Sequence, residues 1–182
     1  MRTDIKFTYE EYRALPETGP RYQLVDGDLL MSPSPTSRHQ AVLVRLLNAL
    51  VNHAERSEAG RVFCAPLDVI LSEEDVFQPD LLFISREHGS RIASEGIRGV
   101  PDLCVEVLSP STRDLDLKTK RRQYARFGLP ELWIVDPDAN SLHVFRLQED
   151  ADNAAAVLTA KDTLTTPLLP GFTLKLDKLF EK

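Results

Sequence analysis

The sequence predicts a mixed α/β fold, in which helices flank a central mixed β-sheet and an N-terminal β-hairpin precedes it. Apolar periodicity changes repeatedly between strand and helix along the chain. Residues 103–135 follow the order strand, helix, strand, which is typical of a parallel crossover. A chain of 182 residues with 42% hydrophobic content is long enough for one core, so we expect residues 1–182 to form a single domain.

The first third of the chain predicts a short helix, a hairpin and a long helix. A capping box at residues 8–11 begins the short helix. Residues 21–25 and 28–32 are strands joined by an Asp-Gly turn. Helical spacing of apolar residues from position 36 or 37 predicts a long helix that ends before Gly60.

Strands dominate the next segment. Residues 67–71 and the strand that begins at Asp80 are close in sequence, so we expect them to pair as a hairpin. Residues 86–100 are polar and contain glycine, which predicts a mobile loop.

The last third predicts the crossover and a further strand pair. Ser111 or Thr112 can cap a helix that ends at about Phe127, before Gly128. Residues 131–135 and 142–147 are strands joined by a polar turn, and a last helical turn follows near Leu176.

The net charge of −6 argues against a general polyanion binder. One segment is nevertheless basic, so a phosphate-facing surface is expected there. Its candidate nucleic-acid contacts are Arg113, Lys118, Arg121 and Arg122.

The cysteines and the length of the apolar segments indicate the cellular compartment of the protein. Cys64 and Cys104 both lie in apolar runs, which predicts small buried thiols in a reducing compartment. The apolar runs are far shorter than a membrane span, and residues 1–6 lack a signal-peptide pattern. We therefore expect a cytoplasmic protein that does not bind membranes.

Two carboxylates interrupt segments that otherwise have the pattern of buried strands. Asp80 begins one apolar run, and Glu106 lies in the middle of another, where it shares a face with Cys104 and Leu108. A buried carboxylate must be neutralised, paired with a cation or bound to a metal. Two of them on neighbouring strands would make a divalent-metal site.

The helix after Glu106 supplies a positive charge. Lys120 lies on the same helical stripe as Leu117 and Tyr124, so it is expected to face the sheet while Arg121 and Arg122 turn outward. Asp116 is four residues before Lys120 and can pair with it. Lys118 is the substitute if Lys120 does not face the carboxylates.

Two carboxylates, a backbone carbonyl and a lysine suit phosphodiester hydrolysis. A divalent ion held by the oxygens would activate water and neutralise charge on the phosphate, while the lysine would orient the water or stabilise the transition state. The expected ion is Mg²⁺ or Mn²⁺, because the ligands are hard oxygens and the sequence has no Cys/His cluster at zinc spacing.

Several motifs resemble those of the Uma2 family of restriction-endonuclease-like proteins, which belong to the PD-(D/E)xK nuclease superfamily of cyanobacteria and other bacteria. They occur in order, almost from end to end: FTYEEY at 7–12, YQLVDGDL at 22–29, SPSP at 32–35 with His39, QPDLLF at 78–83, EVLSPST at 106–112 and YARFGLPELWIVDP at 124–137. The resemblance implies a restriction-endonuclease-like fold with Asp80 and Glu106 as the nuclease acids. It also implies DNA as the first substrate to consider and a homodimer that addresses two strands.

The chain departs from the nuclease pattern at two positions. Leu108 stands where the pattern has lysine, and the resemblance places that lysine at Lys120. Gln23 stands where the family usually has glutamate, so it can offer a carbonyl to the metal but no charge. The predicted metal ligands are thus Asp80, Glu106 and the Val107 carbonyl, with Gln23, His39 and Asp116 as accessory candidates.

Three functions remain open on the sequence alone. The first is a Mg²⁺- or Mn²⁺-dependent nuclease with Asp80, Glu106 and Lys120 as its catalytic residues. The second is a nuclease-fold protein that no longer cuts and instead binds nucleic acid or protein, which Gln23 and the acidic charge favour. The third is a metal hydrolase of small phosphate esters. His39 could position water or phosphate, or could equally be a capping or packing residue.

Overall fold

A computed structural model describes residues 6–16, 18–109, 113 and 115–181. The predicted cap at Ser111 or Thr112 lies outside these residues. The helical elements include the predicted short and long helices and the last turn. They are α1 (Tyr9–Arg13), α2 (Ser37–Ser57), a 3₁₀ helix (Arg86–Arg91), a π-helical segment (Leu115–Lys120), α3 (Arg121–Arg126) and α4 (Leu176–Leu179).

The strands form two six-stranded sheets and one two-stranded sheet within the described residues. In chain order they are β1 (Arg21–Val25), β2 (Asp28–Ser32), β3 (Gly60–Cys64), β4 (Val69–Ile70), β5 (Val76–Phe77), β6 (Leu81–Ser85), β7 (Ile92–Ala93), β8 (Gly96–Arg98), β9 (Leu103–Val107), β10 (Glu131–Asp136), β11 (Ser141–Arg146), β12 (Ala156–Thr159), β13 (Thr163–Leu164) and β14 (Leu174–Lys175).

The first sheet has the order β12-β11-β10-β9-β6-β3 and is mixed, as predicted. β9 and β10 are parallel and joined by the helical crossover, while β6 and β9 are antiparallel. The second sheet, β2-β1-β5-β4-β8-β7, contains the predicted hairpin of β1 and β2. The fold therefore has a second sheet where the sequence predicted a hairpin alone.

The first sheet lies between two apolar layers. On one face α2 and the C-terminal elements pack against the odd-numbered residues of β9, such as Val105. On the other face Cys104 and Leu108 pack with Tyr124 of α3 and with residues of the second sheet. Glu106 has the same strand parity as Cys104, so the predicted face of this carboxylate is confirmed and it points towards α3.

Two expectations for residues 67–100 are wrong. β4 forms its hairpin with β5 in the second sheet, whereas β6 pairs with β3 in the first. Pro79 lies between β5 and β6 and has no amide hydrogen to donate to either ladder. Residues 86–100, predicted as a mobile loop, instead form the 3₁₀ helix, β7 and β8, and β8 is hydrogen-bonded to β4.

β3 is an edge strand, which corrects the expectation for Cys64. The Arg86 amide donates to the Ala59 carbonyl at 2.8 Å, and the Ala65 amide donates to the Asp80 carbonyl at 3.0 Å. Because antiparallel pairs alternate, the backbone groups at positions 60, 62 and 64 must point away from β6. Cys64 is exposed, whereas Cys104 is buried as predicted, and both thiols are free.

None of the helices in the described ranges is both long and apolar enough to cross a bilayer.

Candidate active site

Asp80 and Glu106 meet at the boundary between β6 and β9. Leu81 pairs with Val105 and Leu82 with Cys104, so continuing this register by one residue places Asp80 opposite Glu106. Residues that lie opposite each other on adjacent strands have Cβ atoms about 4.5–5.5 Å apart. The amide of Val107 also donates to Asp80 Oδ2 at 2.7 Å, which ties the Asp80 carboxylate to the Glu106 strand.

Lys120 reaches Glu106 from the helical segment. Its Nζ donates to Glu106 Oε2 at 2.9 Å and lies 3.2 Å from Asp116 Oδ1. All three residues are 2–3% exposed. The inward orientation of Lys120 and its pairing with Asp116 are therefore as predicted from the helical stripe, and Lys118 is exposed.

The electrostatic environment of this cluster shifts two of its ionisable groups. Burial raises the pKa of Glu106 to about 8, since Lys120 opposes this effect only partly and Asp116 and Asp80 add to it. Burial by itself would lower the pKa of Lys120, but the combined attraction of Glu106 and Asp116 raises it. The ammonium is therefore held in its charged form between carboxylates.

Tyr124 completes the environment of Glu106, and sequence reasoning did not assign it to the site. Its hydroxyl donates to Glu106 Oε1 at 2.8 Å. Burial and the neighbouring Glu106 raise the pKa of Tyr124, which keeps the hydroxyl protonated. Tyr124 follows Lys120 by four residues on the same helical face, and this spacing was the available signal.

His39 and Gln23 also lie at the site, although neither position could be derived from local sequence. His39 Nε2 is 3.2 Å from Asp80 Oδ2. Gln23 donates from Nε2 to Ser32 Oγ and accepts at Oε1 from the Gln78 amide, both at 2.9 Å. Gln23 therefore joins the hairpin to the segment that leads into Asp80.

These residues line one pocket of about 500 Å³. Its polar lining includes Asp80, Glu106, Asp116, Lys120, His39 and Gln23. Apolar residues of α2, namely Leu43, Val44 and Leu47, form another part of the wall. The buried acidic cluster and an apolar face of α2 therefore line the same pocket.

The predicted basic surface is smaller than the sequence suggested. Arg121 does not turn outward: its guanidinium donates to the carbonyls of Leu117 and Ala151, and it lies over the Phe145 ring. Arg113 is half exposed and pairs with Asp136 at 2.6 Å. Arg122 is exposed, as predicted.

The chemistry of the donor groups fits a hard divalent ion. Asp80, Glu106 and Asp116 carry three negative charges when ionised against one positive charge on Lys120, which leaves an excess of two. Within the described residues, no three Asp, Glu, His or Cys side chains are grouped closely enough to hold a metal. The protein would thus offer two carboxylates and a backbone carbonyl, an incomplete shell of the kind in which Mg²⁺ retains several water ligands.

The fold has a counterpart among solved structures. The chain superposes with a TM-score of 0.80 on the crystal structure of a protein from Anabaena variabilis, described as a putative nuclease belonging to DUF820. The two sequences are 22% identical, and the match covers 96% of this chain and 97% of the other. No curated protein matches the chain. The two proteins therefore share one mixed α/β fold, as predicted for this chain.

A family model identifies the chain more closely. The model of the Uma2 family, described as putative restriction endonuclease, matches residues 9–177. The chain belongs to this family, and the resemblance seen in its motifs is confirmed.

Proposed function

We propose that this protein is a Mg²⁺- or Mn²⁺-dependent nuclease that hydrolyses phosphodiester bonds, with DNA as its first substrate. Family membership supports a nuclease function. The observation that carries the proposal is the convergence of Asp80 and Glu106 in one pocket, with Lys120 at 2.9 Å from the glutamate. We also propose that residues 1–182 form one restriction-endonuclease-like domain and work in the cytoplasm, which the free thiols support.

Asp80, Glu106 and the Val107 carbonyl would hold the ion in this proposal. A bound divalent ion lowers the pKa of a water ligand and neutralises charge that develops on the phosphate. Lys120 has three N–H donors, of which Glu106 and Asp116 take two. The third N–H can donate to a phosphate oxygen or to the attacking water. In the proposed reaction the oxygen of this water forms a bond to phosphorus while one P–O ester bond breaks.

The exposed cations of the helical region, Lys118 and Arg122, are the proposed contacts with the nucleic-acid backbone. Arg113 can also contact the nucleic-acid backbone if its ion pair with Asp136 breaks. Arg121 is no longer proposed as a nucleic-acid contact, because its guanidinium donates to a carbonyl of the protein itself. This small basic surface predicts weak, salt-sensitive binding.

The proposal is tested by incubating supercoiled, linear and single-stranded DNA and RNA with the protein and Mg²⁺ or Mn²⁺. Cleavage is expected with either ion, no cleavage in EDTA, and no cleavage by Asp80→Ala, which lacks a metal ligand. Equal products from the wild type and Asp80→Ala would identify a contaminating nuclease and overturn the proposal.

A nuclease-fold protein that does not cut is the second candidate, and Gln23 favours it. Its amide contributes no negative charge, and its carbonyl oxygen already accepts from Gln78. Calorimetric titration with Mn²⁺ distinguishes the candidates, because a site that takes up no ion supports this second function. A third candidate, a hydrolase of small phosphate esters, predicts hydrolysis of bis(p-nitrophenyl) phosphate without cleavage of DNA.

We propose further that two copies form a homodimer through the edge of β3, along which no further strand pairs among the described residues. Val62 packs towards the α2 layer, whereas Phe63 packs towards the opposite one. If two β3 strands pair antiparallel about Val62, then Arg61 of each copy lies opposite Phe63 of the second copy. Each dimer would thus gain two cation–π contacts and the missing backbone hydrogen bonds.

Val62→Pro is expected to convert this dimer to a monomer. The Val62 amide points to the open edge, so proline would remove an intermolecular donor without breaking the β6 ladder. Multi-angle light scattering should report twice the chain mass for the wild type and for Val62→Thr, and the single mass for Val62→Pro. A dimer that survives Val62→Pro places the interface elsewhere, and a monomeric wild type rules the dimer out.

A further inference from the structure

His39 is held at the start of α2 with its ring inside the protein. Thr36 caps the helix, and its hydroxyl oxygen accepts from the His39 amide at 3.2 Å. The residue is only 6% exposed. Nε2 faces Asp80 Oδ2, whereas Nδ1 is buried and has no hydrogen-bond partner in the described parts of the chain.

This arrangement determines which ring nitrogen carries the proton. A proton on Nδ1 would leave a buried N–H without an acceptor, and the bare Nε2 lone pair would face a carboxylate oxygen. Buried N–H groups are satisfied more strictly than acceptors are. The neutral tautomer with the proton on Nε2 avoids both costs, because it donates to Asp80 Oδ2 and leaves only a lone pair unpaired.

The two oxygens of Asp80 are consequently unequal. Oδ2 accepts from His39 Nε2 and from the Val107 amide, which occupy its two lone pairs. Within residues 6–16, 18–109, 113 and 115–181, Oδ1 accepts no hydrogen bond. The Asp80 side chain is 22% exposed and lines the pocket, so Oδ1 is its oxygen available to a ligand.

We infer that His39 is a positioning residue: it fixes the Asp80 carboxylate so that Oδ1 is presented to the divalent ion. This inference rests on the proposed metal site. A histidine that served only packing would leave Nδ1 unpaired without compensation, whereas the bond to Asp80 offsets that cost. Partners that orient a metal-binding carboxylate typically change metal affinity 10–100-fold.

Replacement by glutamine and by leucine separates orientation from packing. The side-chain amide of His39→Gln can donate from a position near that of the imidazole Nε2, whereas His39→Leu fills similar space without a donor. Calorimetry with Mn²⁺ and no nucleic acid should show binding that is about 10–100-fold weaker for His39→Leu and near wild type for His39→Gln. Gln40→Leu, a neighbouring change in the same pocket wall, should bind as the wild type does.

Urea unfolding in EDTA checks that the variants are folded. A purely structural role of His39 would not give a difference in Mn²⁺ affinity between His39→Leu and His39→Gln. Equal Mn²⁺ affinity of His39→Leu and wild type, or equally weak binding by His39→Leu and His39→Gln, would overturn the inference. Histidine ¹⁵N NMR in EDTA gives an independent result, in which the proton is expected on Nε2 in the wild type. A proton on Nδ1 would also overturn the inference. Failure of the wild type to bind Mn²⁺ while NMR finds the Nε2 proton would refute the metal site but not the bond to Asp80.

Discussion

Glu106→Gln is expected to reduce nucleic-acid cleavage by at least about 10³-fold while the protein remains folded. Loss of one preorganised electrostatic group in a water-poor site costs about 10²–10³-fold, and loss of the anionic metal ligand adds to this. The substitution keeps the shape of the side chain. Its Oε1 can accept from Lys120, and its amide can donate to the Tyr124 hydroxyl, which acts as the acceptor.

The stability effect of the same substitution should be small. Burial raises the pKa of Glu106, so the charged form is unfavourable in the fold, and a neutral amide removes that cost. The free energy of unfolding in urea and EDTA should lie within about 1 kcal/mol of the wild-type value, because the new side-chain amide can keep both hydrogen bonds and the Lys120 ammonium keeps Asp116 as its counter-ion.

Tyr124→Phe is the matched control for the charge of Glu106. It removes the donor to Oε1 but leaves the carboxylate in place. Its activity should fall much less than that of Glu106→Gln, by about tenfold or less for one lost hydrogen bond. Cleavage by Glu106→Gln at the wild-type rate would show that this carboxylate does not take part in the chemistry.

Lys120→Met is expected to lower the free energy of unfolding by about 3–5 kcal/mol, because one partner of a buried ion pair is removed. Methionine matches the length of the lysine stem but leaves Glu106 and Asp116 buried without their shared cation. Unfolding in urea with EDTA measures the loss. Cleavage should also disappear at temperatures where the variant is still folded, since the donor to the phosphate or water is absent.

Two variants test whether loss of the Lys120 charge causes the loss of stability. Lys118→Met changes an exposed neighbour and should cost less than about 1 kcal/mol. Adding Glu106→Gln to Lys120→Met replaces the Glu106 carboxylate, which has lost its cation, with a neutral amide. The double variant should therefore be more stable than the sum of the two single changes predicts. A Lys120→Met protein as stable as the wild type would show that this cluster tolerates its charges without the lysine.

Local periodicity predicted the burial of Glu106 and the inward orientation of Lys120 better than it predicted the partners of the basic residues. Glu106 could be recognised because apolar residues surround it on both sides of a strand, and Lys120 because it repeats with Leu117 and Tyr124 on one helical face. The expectation for Arg121 failed, since its guanidinium bonds to Ala151, 30 residues away in a separate loop. Nothing in the helix itself indicates where that loop returns.

The sequence by itself determined the segments that become strands and helices, the burial of Glu106 and the helical face of Lys120. These properties depend on the spacing of apolar and charged residues within a few turns of chain. The tertiary structure alone decided that β3 is an edge, that β6 leaves the β4 hairpin, and that His39 meets Asp80 across 41 residues. Such features arise from strand order and packing between distant segments, which local spacing does not encode.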